Sequence, residues 1–179
     1  MFVPRAVYDP EDAGREDARS VSELEAGLRR HRRIAVDSEL SPAQRERSME
    51  ARPHFEELPG LVTDGTLTPL HLTLEELRVY AQLRDPGFIR TYGLTVPLGA
   101  GEAAALAIAE GRAMRLATND QDCIKVASAR HGDFLPLRIR GLLRSAVELG
   151  LVAREEASSI HLAMISMGFW DKGRMSDDD

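Results

Sequence analysis

Residues 99–132 read GAGEAAALAIAEGRAMRLATNDQDCIKVASARHG, and this stretch decides the fold. GAGEAAALAIAEG (99–111) is a helix rich in Ala and Leu with a Gly at each end, small enough to pack tightly on a sheet. AMRLAT (113–118) suits a buried strand, and NDQDCIKVASARHG (119–132) is a helix closed by Gly132. Toward the C-terminus, FLPLRI (134–139) is another short strand. GLLRSAVELG (141–150) is an apolar-faced helix closed by Gly150, and REEASSIHLAMISMG (154–168) is the last helix. A polar tail, 172–179, ends in aspartates.

Toward the N-terminus, Thr73 and Glu76 form a capping box ahead of Leu74, Leu77, Tyr80 and Ala81. TLTPLHL (66–72) reads as a strand released by Gly65. The opening FVPRAVY is β-branched and aromatic enough for a short strand, with Pro4 restricting it to an edge or a strand start. Ser20 and Glu23 form a second capping box before the stripe of Val21, Leu24 and Leu28, and the basic run 29–33 suits a solvated helix end. Ser41, Pro42 and Gln44 mark another helix start, with Pro53 expected to end or kink it. The charged stretch 45–57 has the character of a surface excursion. Alternating helices and strands imply an α/β sandwich with a mostly parallel sheet, in one domain over 1–171 with a variable helical excursion around 15–61.

Composition narrows the function classes. The chain has 179 residues, 43% apolar and 29% charged, which fits one folded domain. No apolar run is long enough for a bilayer, and the opening residues lack the pattern of a secretion signal. A single cysteine, Cys123, rules out an intramolecular disulfide and a cysteine-rich metal site, so a cytoplasmic location is expected. A net charge of −6 argues against a broad basic nucleic-acid surface, but not against an acidic pocket neutralised by cations. The histidines, His31, His54, His71, His131 and His161, show no ligand spacing and read as surface or packing residues. No nucleophile elbow or phosphate-binding Gly-Lys-Ser/Thr loop occurs. Cys123, beside Ile124 and Val126, reads as a packing residue, and Met164, Met167, Phe169 and Trp170 as cover for the core or an interface.

Carboxylates cluster at informative places. Glu102 falls in the first turn of its helix, Asp120 just past the AMRLAT strand, and Asp122 in the first turn of the next helix. Each taken singly is well explained by the helix dipole. Ligands of open α/β sheets gather outside the carboxyl ends of the strands. Acids meeting there would need a hard cation such as Mg²⁺ or Mn²⁺, whose waters can attack a phosphate.

Residues 99–132 resemble the second half of PIN domains, a family of small metal-dependent ribonucleases. The shared features are a Gly-Glu-Ala-x-Ala helix, a small-residue connection, a strand, and a Thr-x-Asp opening the next helix. LPLRIRGLLRSAVELGLV (135–152) is similar to the closing strand and helix of toxin-like members, and FVPRAVYDPED (2–12) to their Val-Pro-x-Ala-Val strand and acid. The resemblance implies a three-layer α/β/α sandwich. It also implies a metal-dependent endoribonuclease like the toxin half of a toxin–antitoxin pair, with RNA as substrate, an antitoxin as partner and a homodimer expected. Glu102, Asp120 and Asp122 would bind Mg²⁺ or Mn²⁺, with Thr118 and Asn119 supporting them. An acid from the N-terminal half, Asp9, would complete the site, although the family spacing falls on Pro10 between Asp9 and Glu11.

The family's usual first strand, ending in aspartate, has no counterpart before Phe2. Three expectations follow. The domain or its gene start is truncated; or FVPRAVYD serves as that strand with Asp9 as its acid; or RIAVDSEL (33–40) does, giving Asp37 with Glu75 or Glu76. A truncated sheet would expose strand edges and favour dimerisation or strand swapping. The reading from another class is a PIN-like scaffold that binds a protein or RNA without cutting it, which the incomplete acid set favours.

Overall fold

The computed structural model describes residues 1–11, 41–43, 46, 58–132 and 136–166. Expectations about Ser20, Glu23, the basic run 29–33, Asp37, His31, His54, Met167, Phe169, Trp170 and the acidic tail lie outside these residues. The described elements, in order, are β1 (Phe2–Pro4), α1 (Leu58–Thr63), β2 (Thr68–Leu70), α2 (Leu74–Leu83) and α3 (Pro86–Ile89). A 3₁₀ turn, Arg90–Tyr92, leads to α4 (Ala100–Gly111), α5 (Gln121–Arg130), α6 (Ile139–Glu148) and α7 (Arg154–Ser166). Pro42 and Ala43 are also helical, as a proline in a first helical turn allows.

The fold is mixed α/β with parallel pairing. β1 and β2 form a parallel two-stranded sheet with Phe2 opposite Thr68, Val3 opposite Pro69 and Pro4 opposite Leu70. Met1 C=O accepts from Thr68 N–H at 2.8 Å, and Arg5 N–H donates to Leu70 C=O at 3.1 Å. In a parallel ladder the residues between them, Phe2 and Pro4, turn their backbone groups to the other side. Pro4 therefore breaks no bond to β2, and its C=O accepts from the N–H of Val7 and Tyr8, closing a turn. The AMRLAT and FLPLRI segments contribute a single parallel bridge, Ala117 to Leu137, in place of full strands. Thr118 N–H donates to Leu137 C=O, and Leu137 N–H to Leu116 C=O.

The core forms around α4. Its buried Ala103, Ala104, Ala107 and Ala109 let neighbouring helices approach closely, while Leu106 and Ile108 fill the space between. Leu83 from α2, Ile89 from α3, Leu94, Leu98 and Leu116, and Val126 and Ala127 from α5 complete it. The small-residue composition of 99–111 thus has a packing cause.

Helix α2 begins with the capping box read from the sequence: Thr73 Oγ1 accepts from Glu76 N–H, and Glu76 Oε2 accepts from Thr73 N–H at 2.7 Å. Glu76 has a second partner, 36 residues away. Arg112 Nε donates to Oε1 at 2.7 Å and Nη2 to Oε2 at 3.0 Å, fastening α2 to the end of α4. Glu76 packs so closely on Gly111 that a Cβ there would stand 2.9 Å from Glu76 Cγ, so any larger residue would force the Glu76 side chain to shift. The Arg112 bond, ahead of the opposing effect of burial, holds the Glu76 carboxyl below its ordinary value of 4.5.

A depressed carboxyl contributes stability that is present above the unfolded value and lost as pH falls through the folded one. Unfolding free energy measured in urea should therefore drop as pH is lowered from about 5. Arg112→Ala should flatten that dependence and cost about 2 kcal/mol at pH 7, less than a fully buried pair because Arg112 is 31% exposed. An unchanged pH slope in the variant would show that the pair does not act on folding.

Candidate functional site

Helices α4 and α5 are clasped at both ends. At their C-terminal ends Arg130 Nε and Nη2 donate to Glu110 Oε1 and Oε2 at 2.7 and 2.8 Å. The Glu110 side chain is 8% exposed and that of Arg130 16%. His131 Nε2 lies 3.0 Å from Glu110 Oε1, and Arg130 Nη1 donates to the Tyr92 hydroxyl at 3.4 Å. The Phe88 ring lies 5.9 Å from the guanidinium carbon, so the cation also meets an aromatic face. Glu110 raises the Arg130 pKa, keeping its charge fixed.

At the N-terminal ends Cys123 Sγ approaches the Glu102 carbonyl at 4.0 Å, and Cys123 N–H donates to Asp120 Oδ1 at 2.7 Å. Asp120 is thereby the N-cap of α5, and Glu102 and Asp122 stand in the first turns of α4 and α5, as the sequence predicts. With both helices starting at this end, the two dipoles bring partial positive charge to the same place. Glu102 folds back over the start of its own helix, and any side chain at Gly99 would overlap its carboxylate.

Cys123 lies between the two helix starts. Its thiol is pushed up to about 12, first by burial and then by the charges of Asp120 and Glu102, so it is neutral at physiological pH. The thiol is a packing group, as its apolar neighbours suggest, and supplies no thiolate. Alkylation of folded Cys123 at pH 8 should run on the order of 10³-fold slower than that of a free thiol, with urea restoring the fast rate. Fast alkylation in the folded state would show that the α4–α5 seam opens.

The supporting residues have backbone tasks. The Thr118 hydroxyl accepts from Asp120 N–H at 3.1 Å, fixing the turn into α5. Asn119 Oδ1 accepts from Ile139 N–H at 2.9 Å, tying that turn to the start of α6. Asp122 is exposed. Asp9 is half-buried beside Arg5, with an oxygen 3.1 Å from Arg5 Nη1, and it accepts from Glu11 N–H. Of the alternative acids, Glu75 is exposed and Glu76 is held by Arg112.

The fold therefore sets the Glu102 main-chain carbonyl and the Asp120 carboxylate against Cys123, with Asp122 two residues beyond Asp120. Among the described residues, no three His, Cys, Asp or Glu side chains are grouped closely enough to hold a metal. The donor chemistry of Glu102 and Asp120 suits a hard divalent ion, since Mg²⁺ is commonly held by only one or two carboxylates with water and substrate phosphate filling the remainder.

Sequence reasoning did not anticipate the Glu110–Arg130–His131 cluster or the Glu76–Arg112 link. A charged residue, Glu110, ending a helix otherwise built of Ala, Leu and Ile was the available signal for the first. Among the described residues no helix is long and apolar enough to cross a membrane. No protein-family model, curated protein or solved structure matches the chain.

Proposed function

We propose that this chain is a PIN-like, Mg²⁺- or Mn²⁺-dependent endoribonuclease of the toxin type, acting in the cytoplasm, with Glu102 and Asp120 as its principal metal ligands. The observation that carries the reading is that α4 and α5 start side by side, with Cys123 between them: its Sγ lies 4.0 Å from the Glu102 carbonyl oxygen and its N–H donates to Asp120 Oδ1. The parallel pairing of β1 with β2 and of Ala117 with Leu137 supports the three-layer architecture included in the proposal. A bound divalent ion would supply an activated water and charge neutralisation at the scissile phosphate. The chain's own part is to hold Asp120 by its cap, Glu102 over Gly99, and the two helix starts together. Asp122, exposed beside them, would orient solvent or an outer water. Thr118 and Asn119 act as positioning residues through the turn they brace. Exposed Leu142, Leu149, Leu151 and Leu162 on and beside α6 and α7 support a homodimer or an antitoxin contact.

The test is cleavage of a structured RNA by the wild-type protein with EDTA, Mg²⁺ or Mn²⁺. Metal-dependent cutting at internal phosphodiesters is expected; absence of cutting in every metal would reject the enzyme. A second reading, a PIN-like scaffold that binds a protein or RNA without cleavage, is favoured by one observation. Asp9 is engaged by Arg5 rather than grouped with Glu102 and Asp120. That reading expects RNA or partner binding that is indifferent to metal.

A further inference from the structure

Helices α2 and α4 carry a glutamate at the same place, the third helical position, behind different N-caps. In α2 the cap is Thr73, and Glu76 is drawn into the capping box, its Oε2 accepting from Thr73 N–H at 2.7 Å. In α4 the cap is Gly99, which supplies no side-chain cap bond. A Cβ at Gly99 would overlap Glu102 Oε2, with Glu102 Cδ 3.1 Å and Oε1 3.5 Å away. Those are its three nearest atoms, so beyond the adjacent residues nothing outside Glu102 stands closer than 3.5 Å. The backbone does not require glycine either: φ −56° and ψ 159° suit any residue. Serine or threonine at this N-cap would add a bond that glycine forgoes. What glycine provides here is room for the Glu102 carboxylate.

We infer that Gly99 is a positioning residue for a metal ligand: its bare Cα seats the Glu102 carboxylate where a capped helix would place a side chain of its own. The inference rests on the proposed metal site, because Gly99 acts there only through Glu102. A local rule broken without a packing or backbone cause is the mark of a functional position. Restoring ordinary van der Waals separation from a Cβ at 99 moves Glu102 Oε2 by more than about 1 Å. Ligand constellations tolerate about 0.5 Å. The carboxylate is the far end of a flexible side chain, so it swings to another rotamer at little cost to the fold. Substitution at Gly99 therefore separates ligand position from stability, two quantities that most substitutions near a site change together.

The test is Mn²⁺ calorimetry, with thermal melts in metal-free buffer, on the wild type, Gly99→Ala and Gly99→Ser. Gly132→Ala is the control, since a Cβ there meets nothing within 4 Å. The wild type and the control should bind Mn²⁺ equally. Both Gly99 variants should bind it about 10–100-fold more weakly, the range for disturbing a group that orients a metal ligand. The Tm of Gly99→Ser should equal or exceed that of the wild type, because serine caps α4 and restricts the unfolded chain. Weaker metal binding in a protein at least as stable is a combination that a merely structural glycine would not give. Wild-type affinity in both Gly99 variants would overturn the inference and leave the metal site standing. Loss of the cooperative melt in both would also overturn it, by showing that Gly99 serves the fold. No Mn²⁺ binding by the wild type would overturn the metal site and this inference together.

Discussion

Asp120→Asn should reduce metal-dependent RNA cleavage by at least about 10²-fold, the upper range for disturbing even an outer partner of a bound metal. Asparagine keeps the shape of aspartate and removes the charge that a hard cation requires. It also keeps the fold, because Asn caps a helix as well as Asp does, and the bond from Cys123 N–H to the side-chain oxygen is retained. The unfolding free energy in urea should therefore change by less than about 0.5 kcal/mol. Asp120→Ala is the poorer test: loss of the cap would add about 1 kcal/mol of destabilisation, confusing loss of chemistry with loss of structure. Glu102→Gln should share the catalytic defect. Cleavage by Asp120→Asn at the wild-type rate, in a stably folded protein, would remove Asp120 from the site.

The largest stability effect is expected at the opposite end of the same helix pair. Glu110→Ala leaves the Arg130 guanidinium, 16% exposed, with Tyr92 and Phe88 but without a counter-charge. Breaking a buried pair from one side typically costs 3–5 kcal/mol, and the partial access of Arg130 to water places the expected loss near the lower limit, about 3 kcal/mol. For a chain of this length that is a fall in Tm of about 10 °C. Removing both partners in Glu110→Met with Arg130→Met should recover most of the loss, because an apolar pair of similar volume leaves no charge behind. Additive losses in the double variant would mean that the residues act separately. Glu110 and Arg130 also keep α4 and α5 in register, so the single variant should weaken any function that depends on Glu102 standing beside Asp120.

Helices α2, α4, α5, α6 and α7 were legible from the sequence because their signals are local, whereas the short α1 and α3 were not read. The Thr73–Glu76 box, the Ala-rich 99–111 segment and the glycine after α6 act within a turn or two, and Gly150 takes the left-handed backbone (φ 69°) expected of a helix stop. Strands depend on partners distant in sequence, and here pattern recognition overreached: AMRLAT and the described part of FLPLRI meet at one bridge. The site was legible in part. Placement of Glu102, Asp120 and Asp122 at helix starts follows from capping and dipole preferences, whereas their mutual distance depends on how α4 packs against α5. That packing joins Val126 and Ala127 of α5 to the core around α4 and is clasped by Glu110 and Arg130, a pairing across 20 residues that no periodicity announces. Asp9 shows the converse. The resemblance of FVPRAVYDPED drew it into the candidate set although the family spacing falls on Pro10, and Arg5, four residues earlier, holds it in a local ion pair.

Titration of Mn²⁺ by calorimetry into the wild-type protein, Asp120→Asn and Glu102→Gln asks directly whether the paired helix starts capture a divalent ion. One saturable site in the wild type, lost in both variants, is the predicted result. No heat of binding in the wild type, or the same isotherm in all three proteins, would contradict it.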